Sequence, residues 1–123
     1  MSQPGGIIRA PQGRPAVIAL RIDGSAVTTS AASAGLLSGT GQCTILKGSG
    51  GTSNEVTIAL KHTSAQVPVV CASPITTNCH IEVKSVSTSS IVLETFQVAD
   101  GTTGVDDADM HVLIWVWLDS KDL

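Results

Sequence analysis

The carboxylates between residues 100 and 109 are the side chains of this sequence best suited to chemistry. Asp100, Asp106, Asp107 and Asp109 lie in one glycine-containing stretch, ADGTTGVDDADM. Clustered carboxylate oxygens are the ligands that Ca²⁺ prefers, but this spacing is not that of an EF-hand loop. We therefore expect a solvated acidic loop and predict no metal site, with calcium binding as the alternative.

The three histidines, His62, His80 and His111, could serve as metal ligands or as a base. Cys79 and His80 are adjacent, so in a strand they point to opposite faces and do not readily share a metal. The sequence has no C-x2-C pair, which argues against zinc.

No catalytic motif is present. The glycine-rich stretch GSGGTSN lacks the lysine and the following helix of a phosphate-binding loop, and no G-x-S-x-G nucleophile elbow occurs. The sequence therefore predicts no catalytic residue, no cofactor and no enzymatic activity.

The three cysteines are expected to be reduced thiols in or near the core. Cys71 and Cys79 flank a predicted hairpin with its loop at residues 74–78. In that register they lie diagonally, and a disulfide would be strained. Free thiols are consistent with synthesis in the cytoplasm.

The composition indicates one all-β domain. The chain has 123 residues, of which 42% are hydrophobic and 14% charged, with no tyrosine and one phenylalanine. Valine, isoleucine and threonine, which suit a pleated sheet, are abundant. The net charge of −3 with no basic patch predicts no nucleic-acid partner, and no apolar run reaches the roughly 20 residues of a membrane span.

Alternating apolar residues and turn signals predict about seven short strands, which is typical of an antiparallel β-sandwich or a jelly-roll-like fold. Residues 1–15 contain three prolines and are predicted to form an extended N-terminal arm, and residues 16–123 a single domain. The predicted strands cover residues 16–23, 42–47, 55–62, 67–73, 79–86, 90–98 and 111–118.

The last predicted strand, HVLIWVWL, is apolar on both faces. Leu113, Trp115 and Trp117 share one face, and its opposite face is equally apolar. One small sandwich covers only one face of each sheet, so the tryptophan face needs a second cover. We expect an oligomer contact there with His111 near its rim; the alternative is that the long loop 24–41 of the same chain covers it.

The N-terminal arm has two features that suit a contact. Ile7 and Ile8 would be awkward on an exposed arm and are expected to dock on a neighbouring surface beside Arg9. The arm is basic, whereas residues 100–123 carry six aspartates and one lysine. This asymmetry suggests polar contacts between copies or with another protein, although two solvated ends would look the same.

The arm MSQPGGIIRAPQGRP, the short strands VPVVCAS and CHIEVKSV and the closing HVLIWVWLD together resemble small structural proteins of tailed-phage virions. Capsid decoration (cement) proteins and the β-sandwich heads of tail fibres share this style. The resemblance implies a virion protein that is made in the host cytoplasm, is commonly a homotrimer and binds the major capsid protein or other virion proteins. It supplies no site residue.

We therefore expect a non-enzymatic capsid decoration protein that stabilises the head through protein–protein contacts. Its predicted interface residues are Ile7, Ile8, Arg9, Leu113, Trp115 and Trp117. The alternative is a tail-fibre or lectin-like receptor-binding domain that recognises host surface glycans. Sugars usually stack on exposed aromatic rings, so this alternative needs the tryptophan face to be open.

Overall fold

A computed structural model describes residues 14–48 and 54–118. This part of the chain is all-β, as predicted, and contains no helix, so no helix there could cross a membrane. Each of the seven predicted strands is confirmed with small shifts at its ends. The strands are β1 Arg14–Ile22, β2 Cys43–Lys47, β3 Glu55–Leu60, β4 Val69–Pro74, β5 Cys79–Val86, β6 Ser90–Gln97 and β7 Met110–Leu118.

The strands form two antiparallel sheets. The three-stranded sheet has the order β1-β7-β4 and the four-stranded sheet the order β2-β3-β6-β5. The glycine-rich stretch GSGGTSN between the second and third predicted strands predicts a hairpin, and the antiparallel pairing of β2 with β3 confirms it. Because β7 lies at the centre of its sheet, its backbone is hydrogen-bonded on both sides.

One apolar core takes side chains from both sheets. On β7 the face opposite the tryptophans points into this core: Val112, Ile114, Val116 and Leu118 are all buried. Ile45, Ile58, Ile91 and Leu93 of the four-stranded sheet have no exposed surface. Burial of β-branched and leucine side chains from both sheets is what holds the sheets together.

The predicted hairpin between β4 and β5 is wrong. β4 pairs with β7, whereas β5 pairs with β6 in the other sheet. The connection between them passes from one sheet to the other and is held by hydrogen bonds to residues next to β6 and β7. The N–H groups of Ile75 and Thr76 donate to the Asp109 carbonyl, and the Val98 N–H donates to the Asn78 carbonyl.

The alternation in CHIEVKSV predicts that Cys79, Ile81 and Val83 point inward, and this prediction is wrong for Val83, since this side chain is 43% exposed. A register shift between Val83 and Ser85 marks a bulge in β5. A bulge places one extra residue in the strand and locally bends it. The first residues of β5, Cys79 and Ile81, do pack in or against the core, as predicted.

The long loop between β1 and β2 covers the open edges of these two strands. The Leu37 N–H donates to the Arg21 carbonyl over 2.8 Å, and the Lys47 N–H donates to the Thr28 carbonyl over 2.8 Å. Two apolar side chains of the loop enter the core, Val27 and Leu36. A loop of this length in a compact domain usually covers an edge or makes a contact, and this one covers two edges.

The packing predicts unequal costs for two identical substitutions. Val112→Ala opens space at a residue without exposed surface and should lower the free energy of unfolding by about 2–3 kcal/mol. Val83→Ala removes the same atoms from an exposed position and should cost less than about 1 kcal/mol. Urea denaturation measures both. Equal costs would mean that β5 keeps the regular alternation that its sequence suggests.

Candidate functional site

One surface of the three-stranded sheet points away from the core. It carries the three predicted interface residues that the structure describes, Leu113, Trp115 and Trp117. We call this surface the outer face. Its side chains are Val17, Ala19 and Arg21 of β1, His111, Leu113, Trp115 and Trp117 of β7, and Val69, Cys71 and Ser73 of β4.

Strand pairing arranges these side chains in rows across the sheet. Trp115 is flanked by Val17 on one side and Val69 on the other. The next row is Ala19, Leu113 and Cys71. Two adjacent rows of three strands therefore carry no charged side chain, which makes the middle of the outer face an apolar patch.

Exposure along β7 falls from the middle of the outer face to one end. Leu113 is 38% exposed, Trp115 is half-buried and Trp117 is 8% exposed. On the two flanking strands, Val17 is 54% and Val69 is 55% exposed. The patch is therefore open to solvent except around Trp117.

The segment before β4 holds the Trp117 end of the sheet. The Trp117 N–H donates to Ser64 Oγ over 3.0 Å, and the Ala65 N–H donates to the Trp117 carbonyl over 2.7 Å. The buried indole Nε1 of Trp117 has no hydrogen-bond partner within the described residues. A buried donor without an acceptor is costly, by about 1–3 kcal/mol.

Arg21, His111 and Ser73 form the polar row at the opposite end of the outer face. All three are exposed. His111 therefore lies at the polar edge of the outer face, and its place at the rim of an oligomer contact stays a prediction. The outer face thus has an apolar middle with a polar, basic row at one end.

The loop 24–41 is not a lid over this surface. Its hydrogen bonds to strands run to β1 and β2, and Val17, Leu113 and Val69 stay exposed beside it. The predicted contact residues Ile7, Ile8 and Arg9 lie outside the described residues.

The cysteines occupy two different environments. All three are free thiols, and Cys43 and Cys79 are buried, but Cys71 is exposed. The expectation that all three lie in or near the core is therefore wrong for Cys71, because β4 directs this side chain to the outer face. Burial raises the pKa of Cys43 to about 11 and also raises that of Cys79.

The carboxylates of the acidic loop make structural contacts. Asp107 forms an ion pair with Lys47 of β2. The Asp109 carboxylate accepts the Gly24 N–H over 2.9 Å, which fastens the start of the long loop to the start of β7. Asp100 Oδ1 accepts the N–H groups of Thr102 and Thr103. Within residues 14–48 and 54–118, no three His, Cys, Asp or Glu side chains are placed to hold a metal ion.

His80 makes contacts on the four-stranded sheet that are unrelated to the outer face. Its Nε2 lies 3.4 Å from Glu82 Oε1, and its ring centroid lies 5.7 Å from that of Phe96. Phe96 is half-buried within β6. The aromatic side chains of the described chain are therefore divided between the two sheets.

A row of three glutamates crosses the four-stranded sheet and was not anticipated from the sequence. Glu55, Glu94 and Glu82 are direct neighbours on β3, β6 and β5. Lys84 pairs with Glu55, which is buried, and this hydrogen bond raises the pKa of Lys84. The alternation of β3 places Glu55 on the outer side, but nothing in that pattern reveals the long lysine that covers it.

Two cavities in the described part of the chain are small. One, lined by Lys47, Asn54 and Thr95 among others, has a volume of about 10 Å³, which is room for one water molecule. The other, about 150 Å³ in volume, lies between Arg21, Asp23 and Asp109. Neither volume matches the several hundred Å³ typical of small-molecule sites.

Comparison with protein-family models, with curated protein sequences and with solved structures found no match for this chain. The structure itself defines the class: an all-β protein of two antiparallel sheets with an open apolar patch on one of them.

The Asp100 turn predicts a measurable carboxyl titration. Hydrogen bonds from the Thr103 side chain and from backbone N–H groups lower the pKa of Asp100 from 3.8 to about 2. Because the folded pKa is depressed, the contribution of Asp100 to stability is complete above pH 3.8 and is lost as the pH falls toward 2. Carbon-detected NMR titration should show this low pKa, and Thr103→Val should move it back toward 3.8. An unchanged pKa in the variant would show that Thr103 does not set it.

Proposed function

We propose that the protein is a non-enzymatic structural component of a virion, a capsid decoration (cement) protein that acts by protein–protein contacts. The outer face of the three-stranded sheet is the contact surface. The observation that carries this proposal is the open apolar patch around Trp115, in which Val17, Leu113 and Val69 are exposed.

The patch has the chemistry of a protein interface. Its two apolar rows contain aromatic, branched and small side chains, and the nearest charged residue, Arg21, lies in the polar end row. Interface cores are depleted of charge and enriched in aromatic residues, with polar groups at the rim. Docking on this patch would desolvate little charge, so the electrostatic desolvation cost of binding is small.

The size of the patch sets the energy available. The two apolar rows span about 13 Å along the strands and about 14 Å across them, or roughly 180 Å². At about 25 cal/mol per Å², covering them yields on the order of 5 kcal/mol before the costs of association. Trp117 adds little to this sum because the chain already buries it. Leu113 and Trp115, with Val17 and Val69 beside them, supply most of the contact.

In this proposal many copies bury apolar surface across capsid-subunit boundaries and so resist internal pressure. The partners are the major capsid protein or other virion proteins, and the protein itself is a homotrimer located in the virion. The jelly-roll likeness, the extended arm of residues 1–15 and the contacts of Ile7, Ile8 and Arg9 belong to the same proposal.

A tail-fibre or lectin-like receptor-binding domain is the second candidate, and the half-buried Trp115 on an open face favours it. An exposed indole can stack on a sugar ring. The flanking side chains, Val17 and Val69, offer no hydrogen bond to sugar hydroxyls, and the polar row containing His111 lies about 13 Å away along β7. Protein contact therefore suits the patch better than a glycan.

The first test is the mass in solution, measured by light scattering after size exclusion. The wild type should be an oligomer, and Trp115→Ser should dissociate it because a polar side chain replaces the centre of the apolar patch. Val83→Ser, at an exposed position of the other sheet, should leave the mass unchanged. A wild type that is monomeric at every concentration would contradict the proposed homotrimer.

The second test separates the two candidate functions. Wild type, but not Trp115→Ser, should co-sediment with empty capsids, and the binding should persist at high salt because apolar contact is not screened. Glycan-array binding that Trp115→Ser abolishes, without capsid binding, would instead favour the receptor-binding candidate.

A further inference from the structure

The outer face is too small to hold two copies together by itself. Its area of roughly 300 Å² compares with the about 800 Å² per partner of a standard stable interface. A stable oligomer that uses this surface must therefore bury additional apolar area. An extended segment of chain, only a few ångströms wide, fits a patch three strands across better than a second sandwich does.

Residues 1–13 start from the right place to supply such a segment. β1 begins at Arg14, whose backbone pairs with that of Leu118 at the end of the sheet. Pro15 lies directly across from Trp117. The chain upstream of Arg14 thus leaves the sheet at the end of the outer face where the buried tryptophan lies.

The composition of residues 1–13 favours an extended chain rather than an independently folded unit. Pro4 and Pro11 favour an extended chain with a rise of about 3.1 Å per residue. Thirteen such residues span about 40 Å, twice the roughly 20 Å length of the outer face. An extended chain of that length is long enough to reach the outer face of a neighbouring copy.

The chemistry of the segment matches the patch. Ile7 and Ile8 are apolar side chains that suit the rows around Trp115 and Leu113. Neither side chain carries a polar group, so covering the patch with them desolvates no charge.

We infer that residues 1–13 of one copy bind the outer face of a second copy, with Ile7 and Ile8 on the patch formed by Trp115, Leu113 and their neighbours. This inference rests on the proposed function because it names the segment that the contact surface binds. Each copy then gives one segment and receives another, and this exchange supplies the area that direct contact between sheets does not.

Cys71 provides a built-in probe of this contact, because it is exposed in the middle of the outer face, whereas Cys43 and Cys79 are buried. Under mild oxidation, Ile8→Cys should form a disulfide with Cys71 of another copy and give covalent dimers or trimers on a non-reducing gel. The same variant with Cys71→Ser should give none. Ser85→Cys places a thiol at an exposed position of the four-stranded sheet and should form no disulfide with Cys71 of another copy.

A second variant measures the strength of the contact without introducing a thiol. Ile7→Ser combined with Ile8→Ser should raise the dissociation constant of the oligomer by at least about tenfold, because burial of two isoleucines is lost. The far-UV spectrum should match that of the wild type. The unfolding midpoint in urea should also match when both proteins are diluted until they are monomeric, because association itself adds stability.

Each other outcome overturns the inference in a recognisable way. A disulfide within one chain, seen as a monomer that has lost two hydrogens, would mean that the segment covers its own outer face. Absence of any cross-link, in an oligomer that Trp115→Ser still dissociates, would mean that something else occupies the face, and the proposed function would stand. A wild type that never associates would contradict both.

Discussion

The structure depends on one constraint: its central strand is apolar on both faces, but the chain has only one core. β7 must sit between β1 and β4 because that position gives its backbone hydrogen-bond partners on both sides. Its inward side chains, from Val112 to Leu118, fill the core without exposed surface or nearly so. Its outward side chains cannot share that core. The surplus of apolar surface appears as the open patch, which is the most informative feature of the molecule for function.

Three of the four sheet edges are protected. The long loop bonds to the free edges of β1 and β2. On the four-stranded sheet, a bulge at Lys84 distorts the edge strand β5, and charge and bulges discourage edge-to-edge pairing. Other exposed apolar side chains occur elsewhere in the described chain, including Leu37 and Val98. The outer face differs because strand pairing places Val17, Val69 and Leu113 in adjacent rows.

The elements of this fold were readable from the sequence because alternation of apolar residues is a local signal. All seven strands and the inward face of β7 follow from it. Pairing was harder to predict, since the short link between β4 and β5 resembles a hairpin loop. The connection in fact crosses between sheets and is held by hydrogen bonds to Asp109 and Val98. The orientation of Val83 was missed because a bulge changes the phase of a strand without a marker in the residues. The outer face was predicted from Leu113 and the tryptophans alone. Its other members, including Cys71, became visible only when strand pairing placed β1 and β4 beside β7.

We expect the surface around Trp115 to become buried when copies of the chain associate. A variant with Trp117→Phe keeps Trp115 as its only tryptophan, so acrylamide quenching of its fluorescence measures the accessibility of that one side chain. The quenching constant should be high in dilute protein, where Trp115 is partly exposed, and should fall as rising concentration drives assembly. A quenching constant that stays the same while the mass increases would show that the protein assembles through another surface, and that the outer face is not the contact between copies.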